Sequence, residues 1–296
     1  MILPWRFFDV EVARLRRLSR SFLRVTVTGE DLKVFADNGF DQRFKLILPL
    51  PESGLASFPF SLDWHEKWRA LPESQRNPVR TYTVRAVRPE VSEVDIDMVV
   101  HPGGDGPAVV WVRDVAVGDQ LALLGPDARF GGPHGGIDFR LPASATTILI
   151  AGDETAVPAV ASILECLPRD ISGEVILEVP EPGDFLDLTA PVGIKIEWLA
   201  RDGAVHGSAL VPALTAAAAR LVPQQAAGEL PDVDVDEQIL WEVPDEPAPD
   251  KQVYAWLAGE AGVIRSLRRH LVGERGLDRR SVAFMGYWRL GRSEGV

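Results

Sequence analysis

The hydrophobic pattern changes character about halfway along the chain. In the first half, short segments alternate between polar and apolar positions and are separated by Gly or Pro residues. A period of two is typical of strands with one buried face, and several such strands predict an antiparallel barrel or sandwich. The predicted strands span residues 10–15, 23–28, 44–48, 80–87, 94–100 and 120–124.

The second half alternates continuous apolar runs with helical patterns. Residues 146–152 form an unbroken apolar run, as expected for a strand that is buried on both faces. Strands that alternate with helices indicate a parallel α/β sheet with right-handed crossovers. The other predicted strands are 174–179, 194–199, 253–258 and 281–287, and the predicted helices are 157–167, 208–220 and 261–271. We therefore divide the chain into two domains, 1–142 and 143–296.

Charge and composition narrow the class of protein. Residues 222–251 are rich in Pro, Asp and Glu, which predicts an acidic surface loop, either solvated or docking a partner. The chain of 296 residues has 31 Lys and Arg against 43 Asp and Glu, a formal net charge of −12, which argues against nucleic-acid binding. No apolar stretch approaches the roughly 18 residues of a membrane span, and no signal peptide is apparent. We expect a cytoplasmic monomer with no nucleic-acid or membrane partner.

The segment Arg80-Thr81-Tyr82-Thr83 combines a cation, an aromatic ring and small hydroxyl residues. On a strand, Arg80 and Tyr82 share one face, and Thr81 and Thr83 share the other. Arg80 suits a pyrophosphate, Tyr82 a flat ring, and Thr83 the ring edge where charge develops, which makes Thr83 the candidate catalytic residue. These are the groups that a bound flavin needs. The alternative is an edge strand with a surface arginine.

A glycine-rich turn at residues 101–107 leads from a predicted strand into a helix. Its glycines let backbone N–H groups approach a ligand, and a proline suits the first helical turn. The helix N-terminus then offers an anion site that complements Arg80. His101 either binds the cofactor or caps the strand end. The candidate cofactor-binding residues here are His101, Gly103, Gly104, Gly106, Pro107 and Ala108.

In the second half, two predicted strands end in the same way: a glycine comes first, then an acidic residue, and then a predicted helix. Gly152-Asp153-Glu154-Thr155 follows one buried strand, and Gly259-Glu260 follows another. Ligands of open α/β sheets bind at such carboxyl ends, so both segments are candidate cofactor-binding sites. Asp153 and Glu154 would repel a phosphate, so we assign them to a ribose, a nicotinamide or the helix start. Helix capping alone is the alternative for each acid, and the G-x-G-x-x-G fingerprint is missing.

Together these motifs resemble the siderophore-interacting family of flavoproteins, within the wider ferredoxin-reductase-like group. The resemblance is carried by residues 80–83, His101 with 106–108, Trp111, 118–119, 125–126, 151–159, 256–260 and 286–291. It implies an N-terminal FAD-binding β-barrel followed by a C-terminal nicotinamide-binding α/β domain. It also implies reduction of a ferric siderophore or ferric chelate by NADPH or NADH, with release of Fe(II). A ferredoxin donor and a non-catalytic ferric-siderophore binder are the alternatives.

An anionic ferric siderophore calls for local positive charge. The candidate substrate-binding residues are Arg43, Lys45, Arg268 and Arg289, by a loose match to the family. Stabilisation of a helix C-terminus is the alternative for Arg268. Arg201 suits either the 2′-phosphate of NADPH or a solvated loop. We expect no protein metal site, because the histidines lack ligand spacing and Cys166 stands alone. Cys166 lies in an apolar helical run and is interpreted as a buried structural thiol.

Overall fold

The computed structural model describes residues 2–101, 106–226, 233–235, 238–246, 248 and 252–291. The chain forms two compact units, and the boundary between them falls between Ile137 and Asp138. The sequence placed this boundary five residues later, after residue 142. Part of the predicted acidic loop, 222–251, lies outside the described residues.

The first unit contains a seven-stranded antiparallel sheet. Its strands are β1 (Trp5–Arg17), β2 (Phe22–Thr28), β3 (Arg43–Ile47), β4 (Val79–Thr83), β5 (Ala86–Arg88), β6 (Glu93–Val99) and β7 (Gln120–Pro126). Their order across the sheet is β4-β3-β7-β1-β2-β6-β5. The edge strands β4 and β5 follow each other in sequence, and the three residue steps between them span at most about 10 Å. The sheet therefore curls back on itself, which confirms the predicted antiparallel barrel.

The buried face of this sheet follows from the alternation of apolar and polar residues in the sequence. In β1, Phe8, Val10 and Val12 are buried, whereas Asp9 and Glu11 between them are exposed. The buried faces of the strands form one apolar cluster. Two α-helices lie in the described part of this unit: α1 (Trp64–Ala70) and α2 (Pro107–Asp114).

The second unit is a six-stranded, mostly parallel sheet with helices, as predicted. Its strands are β8 (Thr147–Asp153), β9 (Ser172–Val179), β10 (Gly193–Ala200), β11 (Trp241–Glu242), β12 (Val253–Glu260) and β13 (Val282–Trp288). Its helices are α3 (Val157–Cys166), α4 (Leu210–Leu221) and α5 (Ala261–Arg268), and α5 continues into a π-helical turn, Arg269–Glu274. The strand order is β10-β9-β8-β12-β13-β11, and β11 is antiparallel to β13.

The strand order creates a crevice at the carboxyl ends of the strands of this sheet. After β8 the chain moves to β9 on one side, whereas β12 and β13 lie on the other side. The topological switch point, where α/β sheets bind ligands, therefore lies between β8 and β12. The register places Asp153 of β8 beside Glu178 of β9, and Glu260 of β12 beside Trp288 of β13. Within the described residues, no helix is both long and apolar enough to cross a bilayer.

Candidate functional site

Strands β3 and β4 bring predicted substrate and cofactor residues onto one face. Lys45 pairs across the ladder with Thr81, and Arg43 pairs with Thr83. Residues directly opposite each other in an antiparallel ladder share a face. The Lys45 Nζ atom donates a hydrogen bond to Thr81 Oγ1 at 2.7 Å. The Thr83 side chain is buried.

Arg80 and Tyr82 lie on the opposite face of β4, as their alternation predicts. Their cross-strand partners are the buried residues Leu46 and Phe44, respectively. Tyr82 packs against the apolar cluster of the first unit. Arg80 is half-buried, and its Nη1 donates to the Val79 carbonyl oxygen at 2.9 Å. The guanidinium therefore stays beside the edge strand of the sheet.

Helix α2 packs against the same apolar cluster as Tyr82, through Ala108 and Trp111. Pro107 opens its first turn, as predicted, Gly106 is its N-cap, and no side chain among the described residues caps this end. A Cβ atom added at Gly106 would meet no atom closer than 4.0 Å. Exposed backbone N–H groups at a helix N-terminus are a pyrophosphate site, so unit 1 fits the phosphate part of FAD.

The glycine-rich turn before this helix is only partly described. His101 is half-buried at the end of the strand. Gly103 and Gly104 lie outside the described residues, so their predicted contacts with the cofactor stay predictions.

In the second unit, Asp153 joins three strand ends. Its Oδ1 accepts hydrogen bonds from the backbone N–H of Thr155 at 2.9 Å and from the Thr155 hydroxyl at 2.5 Å. Its Oδ2 accepts from the Glu260 backbone N–H at 2.7 Å and the Trp288 indole N–H at 2.8 Å. Burial, together with the nearby charge of Glu154, raises the pKa of Asp153 to about 7. Gly259 has a φ of +150°, and a Cβ atom there would lie 2.7 Å from Asp153 Oδ2.

Glu154 forms a buried ion pair with Arg201. Both terminal nitrogens of the guanidinium lie 2.8 Å from the Glu154 carboxylate oxygens, and Nη1 lies 3.4 Å from Glu178. Both glutamates are fully buried, and Arg201 is 9% exposed. Arg201 is therefore neither a solvated loop residue nor an open cation for a 2′-phosphate.

The two remaining predicted arginines are also paired with carboxylates. Arg268 is 3% exposed and donates from Nε and Nη2 to Glu242 at 2.9 and 2.7 Å. Its charge is neutralised inside the unit, which weighs against the predicted contact with an anionic substrate. Arg289 Nη1 lies 3.0 Å from Glu260 Oε1, so this charge also has an internal partner.

Two residues near Asp153 and Glu154 were missed by the sequence analysis: Glu178 and His206. The only signal for Glu178 is an acid that directly follows the apolar run 175–177 near the end of β9. His206 packs edge-on against Trp288, with ring centroids 4.7 Å apart. Donor atoms of Asp153, Glu154 and His206 lie within 4.8 Å of one another. The carboxylate oxygens of Asp153 and Glu154 are already hydrogen-bonded, whereas the buried Nδ1 atom of His206 has no hydrogen-bond partner among the described residues.

The sequence matches two family models in tandem. Residues 11–130 match the siderophore-interacting FAD-binding domain, and residues 145–291 match the siderophore-interacting protein model. Ferric vibriobactin reductase ViuB of Vibrio cholerae is 32% identical over 286 residues, which cover 96% of this chain and 90% of ViuB. The chain belongs to the siderophore-interacting protein family. This confirms the resemblance found in its motifs.

Two further relatives cover nearly the whole chain. The NADPH-dependent ferric-chelate reductase of Escherichia coli is 28% identical over 289 residues, covering 96% of this chain and 93% of that enzyme. The crystal structure of a siderophore utilization protein from T. fusca superposes with a TM-score of 0.72 and 30% identity, covering 100% of this chain and 97% of that one. The similarity therefore extends over both units.

Proposed function

We propose that this protein is an FAD-dependent reductase that passes electrons from NAD(P)H to a ferric siderophore or ferric chelate. The tandem match to an FAD-binding domain and a siderophore-interacting domain carries the proposal. The names of two full-length relatives, a ferric vibriobactin reductase and an NADPH-dependent ferric-chelate reductase, support the reaction class. Because NAD(P)H is an intracellular reductant, we place the reaction in the cytoplasm.

In this proposal the first unit holds FAD. The N-terminus of α2 and the Arg80 guanidinium hold the pyrophosphate, since both offer N–H donors to anionic oxygens. Tyr82 packs beside the flavin, and Thr83 lies nearest its reactive edge. When bound, FAD supplies the chemistry that links two-electron hydride transfer from the donor to single-electron transfer.

Lys45 and Arg43 attract the substrate. Both lie on β3, opposite Thr81 and Thr83, so their positive charge lies beside Thr83, the residue assigned to the flavin edge. An anionic ferric chelate is drawn towards such local charge although the whole chain carries −12. The overall reaction consumes one NAD(P)H and two Fe(III), and releases NAD(P)⁺, one proton and two Fe(II).

The test begins with FAD retention. Purified protein is loaded with FAD, passed through a desalting column, and its flavin absorbance is measured. Arg80→Ala should weaken FAD binding roughly tenfold to a hundredfold, because it removes a charge-assisted hydrogen bond. Arg16→Ala is the matched control, since Arg16 is exposed on β1 of the same unit. Wild-type protein that cannot be loaded with FAD would contradict the proposal.

Turnover is then measured anaerobically as Fe(II) trapped by a coloured chelator. NADPH, NADH and reduced ferredoxin are compared as donors with one ferric chelate. We expect turnover with a nicotinamide donor and its loss in Arg80→Ala. If chelate binds tightly but no donor supports reduction, the protein is a ferric-siderophore binder.

A further inference from the structure

Strand β6 carries two buried carboxylates on the face that points away from the apolar cluster of the first unit. Asp95 and Asp97 alternate with Val94, Ile96 and Met98, which belong to that cluster. Both aspartates are 5% exposed. A buried carboxylate is costly unless a cation and hydrogen-bond donors compensate its charge. The partners of each aspartate therefore determine which segments of the chain it joins.

Asp97 joins β6 to two other segments. The Arg24 guanidinium on β2 donates from Nε to Asp97 Oδ1 at 2.6 Å and from Nη2 to Asp97 Oδ2 at 2.7 Å. The Nε atom of Arg85 lies 3.7 Å from the same Oδ2 atom, and the Arg85 side chain is 15% exposed. Strand β2 is the sheet neighbour of β6, whereas Arg85 lies in the connection between β4 and β5.

The pair of Arg85 and Asp97 lies where the sheet curls back on itself. Strand β4 is at the edge of the sheet and its neighbour is β3, so no ladder among the described strands joins β4 to β6. The backbone N–H of Arg85 donates to the Asp95 carbonyl oxygen at 3.0 Å. This hydrogen bond and the ion pair together attach the end of β4 to β6.

The two strands joined in this way lead to the two halves of the proposed FAD site. Strand β4 ends at Thr83, just before Arg85, and Thr83 is assigned to the flavin edge. Strand β6 ends at Val99, just after Asp97, and the chain then leads to α2, whose N-terminus is assigned to the pyrophosphate. One FAD molecule spans both halves, so its affinity depends on how accurately the two strand ends are held relative to each other.

Asp95 provides a comparison on the same strand. It is as buried as Asp97, but its carboxylate accepts from the Arg88 guanidinium on β5 at 2.9 and 2.6 Å and from the Thr26 hydroxyl on β2 at 2.7 Å. Both β2 and β5 are sheet neighbours of β6. Asp95 therefore reinforces ladders that already exist, whereas Asp97 reaches a segment that no ladder connects to β6 among the described strands.

We infer that Asp97 is a positioning residue for FAD binding, because through Arg85 it fixes the end of β4 relative to the end of β6. The inference rests on the proposed function for the identity of the ligand. Asp97 has no part in electron transfer: it acts by holding Arg85, and Arg85 holds the strand end that carries Thr83.

The first measurement is the dissociation constant for FAD, obtained from the quenching of flavin fluorescence as protein is added. Asp97→Asn keeps the size of the side chain, removes its charge and places an amide N–H against a guanidinium N–H. We expect FAD to bind about threefold to thirtyfold more weakly, the usual range for a residue that acts through a side-chain network. Asp95→Asn is the matched control: both variants should lower the thermal midpoint, but Asp95→Asn should leave the FAD affinity near that of wild type.

A second background tests the route through Arg85. In Arg85→Gln protein, adding Asp97→Asn should cause no further loss of FAD affinity, because the link between the two side chains is already cut. Losses that simply add would show that Asp97 acts by another route and would overturn the inference.

Hydrogen exchange of the protein without FAD measures the link itself. Asp97→Asn should speed exchange in residues 79–85 by about threefold or more, because the end of β4 opens locally. Asp95→Asn should instead speed exchange in residues 86–88, since it releases Arg88. If Asp97→Asn does not fold, Arg85→Gln cuts the same link and should speed exchange in residues 79–84.

Unchanged exchange in this segment, or equal effects of the two Asn variants on exchange and on FAD affinity, would refute the positioning role. Wild-type protein that binds no FAD contradicts the proposed function instead. The exchange measurement still decides in that case whether Asp97 holds the two strand ends.

Discussion

Replacing Arg201 with methionine would remove the charge that lies between two buried carboxylates. The guanidinium contacts Glu154 through two hydrogen bonds of 2.8 Å and approaches Glu178 at 3.4 Å. With charge centres about 4 Å apart and an effective dielectric constant of about 20, the pair with Glu154 alone is worth roughly 4 kcal/mol. Loss of one partner of a buried pair typically costs about 3–5 kcal/mol, because the other charge is left without compensation. We expect Arg201→Met to lower the free energy of unfolding by that amount.

Urea denaturation followed by circular dichroism measures this loss. Arg220→Met is the matched control, because Arg220 makes an equivalent bidentate pair with Glu174 at the exposed surface and should hardly move the midpoint. The double variant Arg201→Met, Glu154→Met should recover much of the stability, since apolar residues of similar size can replace a buried ion pair. If the free energy of unfolding of Arg201→Met alone stays within about 1 kcal/mol of wild type, and only its KM for NADPH rises, the reasoning is refuted and Arg201 is restored as a 2′-phosphate ligand.

Three further predictions follow from single contacts. Trp288→Phe removes one N–H donor from the buried Asp153 carboxylate and should cost about 1–3 kcal/mol, seen as a lower thermal midpoint. Gly259→Ala combines a positive φ with a clash against Asp153 and should cost about 2–4 kcal/mol by urea denaturation; an unchanged midpoint would contradict the close approach. Burial alone would raise the pKa of Asp95, but Arg88 keeps it below its ordinary value. Arg88→Gln should therefore destabilise the protein more near pH 7, where Asp95 is ionised, than in acid below the lowered pKa of Asp95, where that carboxylate is protonated; equal losses at both would contradict this.

Local alternation predicted most of the fold because each strand carries its own pattern. The seven residues of α1 were missed, since Trp68 is the only buried residue in a helix too short to show periodicity. The prediction that Cys166 is buried was wrong. Helix α3 ends at Cys166, where the chain buries Leu164 and Leu167 and leaves the thiol exposed.

The sequence predicted those parts of the candidate sites that lie within one short segment, but not the contacts between segments. The order glycine, acid, helix identified Asp153 and Glu260 at strand ends, but not the hydrogen bond that joins them across the switch point. Their other partners come from separate strands and loops, and nothing local indicates which acid will meet which cation. Arg268 illustrates the same limit, because its partner Glu242 is 26 residues away along the chain.

The helix N-termini differ in whether a carboxylate of the protein occupies them. In the first unit, α2 begins at Gly106 with no side-chain cap among the described residues. In the second, Glu178 and Glu260 fill the starts of α4 and α5. Because a helix start binds either a ligand anion or a carboxylate of the protein, capping decides which helix can take an anion. Among the described residues, no side chain caps the starts of α2 and α3, so their backbone N–H groups have no competing carboxylate of the protein.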